Sequence, residues 1–471
     1  MTSNKNILFI SNYTLTNLYI EIAKKLENAN YTVYWICTAL EWEATIKAHF
    51  PAERVIKLDR SLRDKPSSLM RPKIPLNEIS YIDREVSAWK PAQAEAYMLN
   101  THEVIKSLLV DKQIIAAFSE NTWAHEIITA MLCEKDLDVQ ARHFSPHPLR
   151  IPDRRFSFFS NFLLNKMMPT GCEGGTLTAT DLFTKRTDIT DHDTRIVARK
   201  KRTLVQSSLR LLNLILRWRN DGTDPTWRGS SRSYVVSRVT RRWACTLGYR
   251  MLQPLNTEKF TQLAQSKQVY IYAFHKVPET AINNKGRFYE DQAARILDLW
   301  RKLPTGSVLA IKEHRVSIGD RGWFYFRKLL RLPNVVLLDH RIESTVIREH
   351  ASACFTISGT MAYEFALDGK PGVTFAPTFF NQLQYSFNIT TTHFTDGHTL
   401  DKILADNTSD GLDPEAYAAH LAVHSHEGEV NEPAIEPRVL SEDNIALLAK
   451  AAITTLVQLH PAPKTAKACH D

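Results

Sequence analysis

Short apolar runs alternate with longer stretches of helical spacing through most of the chain. "NILFIS" at 6–11 is followed by "LTNLYIEIAKKLENA", whose apolar residues recur every three or four positions, and then by "YTVYWIC" at 31–37. "QIIAAFSEN" at 113–121 and the following "TWAHEIITAML" repeat the pair. Runs rich in β-branched and aromatic residues predict strands, and the intervening period near 3.6 predicts helices. Strands separated by helices run parallel, so residues 1–150 are expected to form one Rossmann-like unit.

A second alternating series is better defined and is assigned to residues 266–435. "QVYIYAF", "SVLAIKEH", "NVVLLD", "ACFTISG" and "GVTFAP" give five strands, separated by "YEDQAARILDLWRKL", "WFYFRKLLRL", "ESTVIREHA" and "TMAYEFAL" as four helices. Residues 436–471 hold a closing helix started by Ser441, and then a tail after Pro461. Between the two series, at 151–265, the periodicity is poor apart from "RTLVQSSLRLLNLILRWRN", an amphipathic helix with Arg202, Arg210, Arg217 and Arg219 against a Leu and Ile stripe. The expected class is α/β: two Rossmann-like domains facing a cleft, with a basic, partly helical insertion between them.

Length and composition agree with this division. A chain of 471 residues is too long for one core, and 44% hydrophobic with 23% charged residues is the balance of a soluble globular protein. The first residues lack a basic leader followed by an apolar core, and no apolar stretch reaches the ~20 residues of a spanning helix. Cys37, Cys133, Cys172, Cys245, Cys354 and Cys469 are scattered with no C-x-x-C pair, which fits reduced thiols in a cytosol. The net charge of +8 is concentrated: from Lys185 to Arg250 sixteen Lys or Arg face five Asp and no Glu. Such a segment suggests an anionic neighbour, phospholipid or nucleic acid, unless it is a plain solvated face. With the reduced thiols, the expected location is the cytoplasm, with an anionic membrane surface at the inner face as a candidate partner. Nucleic acid is not expected, because the segment holds few aromatics and no known binding module.

Chemistry concentrates at strand ends of the second series. Lys312 and His314 stand two apart at the end of "SVLAIKEH", on the same side of a strand with Glu313 opposite, and together suit a phosphate. After "ACFTI", the turn Ser358, Gly359 and Thr360 opens a helix whose first amides attract an anion. Glu364 lies one helical turn further, where a carboxylate can accept from two ribose hydroxyls.

These residues sit in a stretch from His275 to Phe380 that resembles the nucleotide-binding domain of bacterial capsule-type polysaccharide biosynthesis proteins, which include Kdo transferases. The matching positions are Pro278, Glu279, Thr280, Asp291, Gln292, Leu303, Pro304, Gly306, Lys312, Glu313, His314, Gly319, Arg321, Tyr325, Leu332, Pro333, Asn334, Val335, Thr356, Gly359, Thr360, Glu364, Gly369, Lys370 and Pro371. The resemblance implies a GT-B glycosyltransferase with its nucleotide-sugar donor on the second domain and a glycan or glycolipid acceptor on the first. In the Kdo branch the donor is a CMP-sugar, transfer retains configuration, and neither metal nor other cofactor is needed. His314 and Ser358 to Thr360 would then hold the phosphate, and Glu364 the ribose. Arg315 stands where the family has Pro, Ala362 where it has the second Gly of the turn, and Phe365 interrupts its Glu-Ala. An arginine at 315 could pair with the carboxylate of a keto sugar acid.

Transfer also needs a carboxylate. Glu120, at the end of "QIIAAFSE", is the first candidate and Asp153 in "RIPDRRF" the second; His147 is a candidate for holding the acceptor. The "DHD" at Asp191 to Asp193 and the H-x-x-x-H pairs His143/His147 and His420/His424 are read as unrelated to metal. Two other readings stay open: a GT-B enzyme with a UDP-sugar, GDP-sugar or CDP-glycerol donor, and a non-catalytic protein that binds glycan or nucleic acid.

Overall fold

A computed structural model describes residues 5–66, 72–171, 176–184, 222–227, 232–277, 279–395, 397–408 and 410–459. The amphipathic helix expected around 203–219, the "DHD" at 191–193, Cys172, Cys469, Pro278 and the tail lie outside them.

Strands β1 (Asn6–Ile10), β2 (Thr32–Cys37), β3 (Val55–Lys57), β4 (Ala116–Phe118), β5 (Arg142–Pro148) and β6 (Arg155–Phe159) build the first sheet. Strands β7 (Val269–Ala273), β8 (Val308–Lys312), β9 (Val335–Leu338), β10 (Ala353–Thr356), β11 (Gly372–Thr374) and β12 (Ser386–Asn388) build the second, and β13 (His426–Glu427) returns to pair with β6. The orders are β13-β6-β5-β4-β1-β2-β3 and β12-β11-β10-β7-β8-β9. The second sheet is parallel throughout, and the first is parallel from β3 to β5. Each has the doubly wound Rossmann order, which reverses between β1 and β4 and between β7 and β10. Two such domains make the GT-B arrangement.

The strands read as continuous apolar runs because helices cover both faces of each sheet. Ile7 and Phe9 face one core with the helix Leu15–Asn28, while Leu8 and Ile10 face another with the helices Pro91–Asp111 and Ala124–Lys135. In the second domain Tyr270, Tyr272, Leu309 and Ile311 face one way and Val269, Ile271 and Ala310 the other.

The chain does not divide at residue 150. β5 and β6 form an antiparallel hairpin, with Pro146 opposite Phe158, so the first sheet runs on to Phe159. The C-terminal segment also belongs to the first domain: Ile445, Leu448, Ala452 and Leu456 of the helix Glu442–Leu459 pack into its core. Helix Pro414–His424 joins Leu149, Ile151 and Phe159 of the first domain to Tyr363, Phe379 and Phe380 of the second in one apolar cluster. No helix among the described residues is long and apolar enough to cross a membrane.

Gly372 lets β11 lie against the helix Thr360–Leu367: a Cβ there would come within 1.8 Å of the Ala362 carbonyl oxygen. Gly372→Ala should destabilise the second domain by about 1–3 kcal/mol and lower its thermal midpoint by several degrees. Gly397→Ala, where no atom lies within 4 Å of the new methyl group, should not. Equal midpoints for the two variants would remove this packing constraint.

Candidate functional site

The carboxyl ends of β5 and of β7 to β11 border one interdomain cleft of about 580 Å³. His147 and Arg150 line it from the first domain. His275, Lys276, Lys285, Lys312, His314, Arg315, Ser358, Gly359, Thr360 and Glu364 line it from the second. The strand-end residues anticipated for the donor thus share one cavity.

The turn after β10 is held rigidly. Ser358 donates its amide to His275 Nε2 at 3.1 Å and its hydroxyl to the Ala281 carbonyl at 3.0 Å, and Thr356 Oγ1 lies 2.8 Å from the same imidazole nitrogen. Gly359 is required here, since a Cβ would sit 2.8 Å from Thr356 Oγ1 and 3.2 Å from His275 Nε2. The first amides of the helix Thr360–Leu367 have no carbonyl within the helix to bond and open at the cleft. An imidazole that accepts from an amide carries its proton on the other nitrogen, and burial, with the nearby His314, Arg321 and Lys285 charges, depresses the His275 pKa to about 3. His275 is thus a neutral strut.

Lys312 Nζ donates to the His340 carbonyl at 3.2 Å. Arg315 donates to the carbonyls of His340 and Arg341 at 3.4 and 2.9 Å, so its guanidinium braces the cleft wall as well as lining it. His314 caps the short turn Arg315–Ser317 by accepting the Val316 amide on Nδ1. Glu313, 1% exposed, takes two bonds from Arg321, at 2.7 and 2.8 Å, and the His314 amide at 2.7 Å. Glu364 is buried, with Oε2 3.3 Å from Arg348 Nε. Lys285 closes the π-helical turn Ala281–Lys285, where burial lowers its pKa to about 8 against the pull of Glu279.

His147 lines the cleft from the first domain, and its Nδ1 lies 2.9 Å from the Pro148 carbonyl. Asp153 does not line it; it occupies the turn between β5 and β6. Glu120 follows β4 at the reversal point of the first sheet and does not line the cleft. Asn12, after β1, donates to Glu120 Oε2 at 2.7 Å and approaches Glu126 Oε1 at 3.4 Å. Thr122 Oγ1 meets Thr280 Oγ1 of the second domain at 3.1 Å. Burial pushes Glu120 up to about 7, with Glu432 adding to the rise. It pushes Glu126 up to about 8, with Glu120 adding, despite the bonds from the Thr122 and Trp123 amides.

His275, Lys285 and Arg348 are structural or lining groups that sequence reasoning did not single out, and Arg321 was named there only as a matching position without a role. His275 carried a local signal, as the residue just after the apolar run "QVYIYAF". Among the described residues, no group of three His, Cys, Asp or Glu side chains could hold a metal ion. His143 faces Ser119 Oγ at 2.8 Å, and the His420 and His424 rings stack at 4.1 Å.

Fold and cleft together define a two-domain protein of GT-B architecture with a basic cleft at the strand ends. No family model matches the chain, and no curated protein matches it. Among solved structures, the KpsC β-Kdo 2,7-transferase of Thermosulfurimonas dismutans is similar over 96% of this chain and 99% of its own, at 10% identity and a TM-score of 0.38. The UDP-GlcNAc 2-epimerase of Neisseria meningitidis, bound to UDP-GlcNAc, is similar over 89% and 98%, at 11% identity and 0.26. Anabaena HepE, in complex with UDP and glucose, is similar over 96% and 95%, at 10% identity and 0.23. Likenesses this slight say nothing of the chemistry, which rests on the residues of the cleft.

Glu126 gives the site a pH signature. An acid whose pKa rises on folding keeps its proton in the folded chain after the unfolded chain has lost it. Stability from this source therefore falls as pH climbs from the ordinary value of 4.5 toward 8, and is unaffected below that window. Glu126→Gln retains an acceptor for the Thr122 and Trp123 amides but has no proton to lose. Its thermal midpoint should match that of the parent at pH 4 and exceed it at pH 8; parallel curves would remove Glu126 as the source.

Proposed function

We propose that the protein is a glycosyltransferase that takes a nucleotide-activated sugar, best read as CMP-Kdo or a related CMP-linked keto sugar acid, to build a bacterial surface polysaccharide of capsule or lipopolysaccharide. The observation that carries this reading is the convergence of Lys312, His314, the turn Ser358–Gly359–Thr360 and Glu364 on one cleft faced by His147 from the other domain. The resemblance of 275–380 to capsule-type transferases supports the same assignment.

In this reading the phosphate lies on the amides at the start of the helix Thr360–Leu367, with His314 and Lys312 opposing its charge. Glu364 accepts from the ribose hydroxyls. The acceptor enters against His147 on the face of the sugar from which CMP departs, and its hydroxyl oxygen bonds to the anomeric carbon on that face as the bond from that carbon to the phosphate oxygen breaks. CMP leaves with the electron pair and the acceptor's proton passes to a carboxylate. Transfer retains configuration, as in the Kdo branch. Glu120, at the end of β4 by the reversal point of the first sheet, is the carboxylate proposed to take the proton, although it stands outside the cleft lining; burial raises its pKa to about 7. The enzyme works in the cytoplasm at the inner face of the membrane, where a glycolipid acceptor is met.

Calorimetry with CMP, UDP, GDP and CDP should find selective CMP binding, weakened ten- to a hundred-fold by His314→Ala through loss of about 1.5–3 kcal/mol of charge-assisted hydrogen bonding. Preference for UDP, GDP or CDP would keep a transferase and replace its donor. No binding by the parent chain would leave a non-catalytic role. Glu120→Gln should lower kcat for CMP release from the donor by about 10²- to 10⁴-fold while leaving CMP affinity unchanged. An unchanged kcat would exclude Glu120.

A further inference from the structure

The helix Arg232–Met251 has two unlike faces. On the inner one, Arg242 Nη2 donates to the Val316 carbonyl at 3.1 Å, and Tyr249 donates its hydroxyl to the Leu338 carbonyl at 3.0 Å and accepts the His340 amide at 3.2 Å. Gly319, at φ +91°, lies so near that a Cβ would come within 2.6 Å of the Arg242 carbonyl oxygen. These contacts fix the rotation of the helix about its axis.

On the outer face Val239, Trp243, Leu247 and Met251 are 52%, 71%, 47% and 68% exposed. They recur every fourth residue and so form one stripe, roughly 18 Å long at 1.5 Å per residue. Phe324, 81% exposed, stands on the helix Trp323–Leu329 packed alongside. A lone exposed apolar side chain is ordinary, whereas five on two adjoining helices mark an interaction surface.

Charge selects the partner. The helix Arg232–Met251 carries five arginines and no acidic residue, and residues 323–331 add Arg327, Lys328 and Arg331, again with no acid. Apolar side chains with a tryptophan among them, flanked by cations, match the headgroup layer of an anionic bilayer.

We propose that this face docks on a bilayer of anionic phospholipid. The proposal names the docking surface for the membrane location given above, but it rests on the exposure and charge of these two helices and not on the identity of the donor. Docking also positions the cleft, because Val316, which Arg242 holds, lines it next to His314 and Arg315.

Co-sedimentation with phosphatidylcholine vesicles, with and without phosphatidylglycerol, tests the proposal on the full chain. The parent protein should bind only the anionic vesicles and be released by salt. The triple variant Trp243→Ser, Leu247→Ser, Phe324→Ser should bind them at least ten-fold more weakly, with its thermal midpoint and CMP affinity unchanged. Vesicle binding that persists in a chain without nucleotide affinity would uphold the docking face while removing the donor reading. A triple variant that binds like the parent would overturn the proposal, as would a parent that binds neither vesicle. Dimerisation of the parent without vesicle binding, abolished in the variant, would overturn it in favour of a second copy of the chain.

Discussion

Glu313 and Arg321 meet inside the second domain, where the carboxylate is 1% exposed and takes two bonds from one guanidinium nitrogen. The other terminal nitrogen of Arg321 donates to the His275 carbonyl at 2.6 Å, and its plane covers the Phe274 ring at 4.6 Å. The ends of β7 and β8 are thereby tied. His275 then accepts the Ser358 amide and so ties the end of β10 as well. Removing one partner of such a pair leaves a buried charge uncompensated, at a cost of about 3–5 kcal/mol. Backbone pairing sets the spacing of these three strands, and this contact fixes the side chains and turns at their ends.

The same turn is bound to the other domain. Tyr363, one turn into the helix Thr360–Leu367, stacks on Phe380 at 4.9 Å between ring centres and donates its hydroxyl to the Ile151 carbonyl at 3.1 Å. The segment after β7 makes a second bridge: Asn284 donates to the Phe162 carbonyl at 2.7 Å, Asn283 to the Ile82 carbonyl at 3.2 Å, and Arg287 pairs with Glu78. Ser358 holds Ala281 of that segment, so both bridges converge on the turn Ser358–Gly359–Thr360. Of the contacts between the domains, these two bridges therefore meet at that turn.

Local pattern revealed the second domain because β7 to β10 are buried on both faces and read as unbroken apolar runs. Most of the strands it missed lack that mark; β6, buried along its whole length, opens on Arg155 and is interrupted by Ser157. β3, β12 and β13 are two or three residues long, and β5 is masked by Pro146, Pro148 and two histidines, of which His143 is buried against Ser119. The site was legible where chemistry directly follows a strand, as at Lys312, His314 and Ser358 to Thr360. It was illegible where function depends on strand order: His275 matters because β7 lies beside β10, a neighbour 83 residues away in sequence. Asp153 looked plausible as a carboxylate near the end of the first unit, but the hairpin of β5 and β6 keeps it out of the cleft lining.

The charge of the cleft follows from which carboxylates have partners outside its lining. Of Glu279, Glu313, Glu343 and Glu364, the second is matched by Arg321 and the fourth by Arg348, neither of which lines the cavity. Glu313 is thus offset in full, and Glu364 in part because Arg348 is shared with Asp368, before the cations of the cavity are reckoned. Arg150, Lys276, Lys285, Lys312 and Arg315 then outnumber the two that remain. Burial lowers the Lys285 pKa to about 8, which records how poorly this enclosure solvates one more positive charge. An anion placed there would supply the interaction that burial removes.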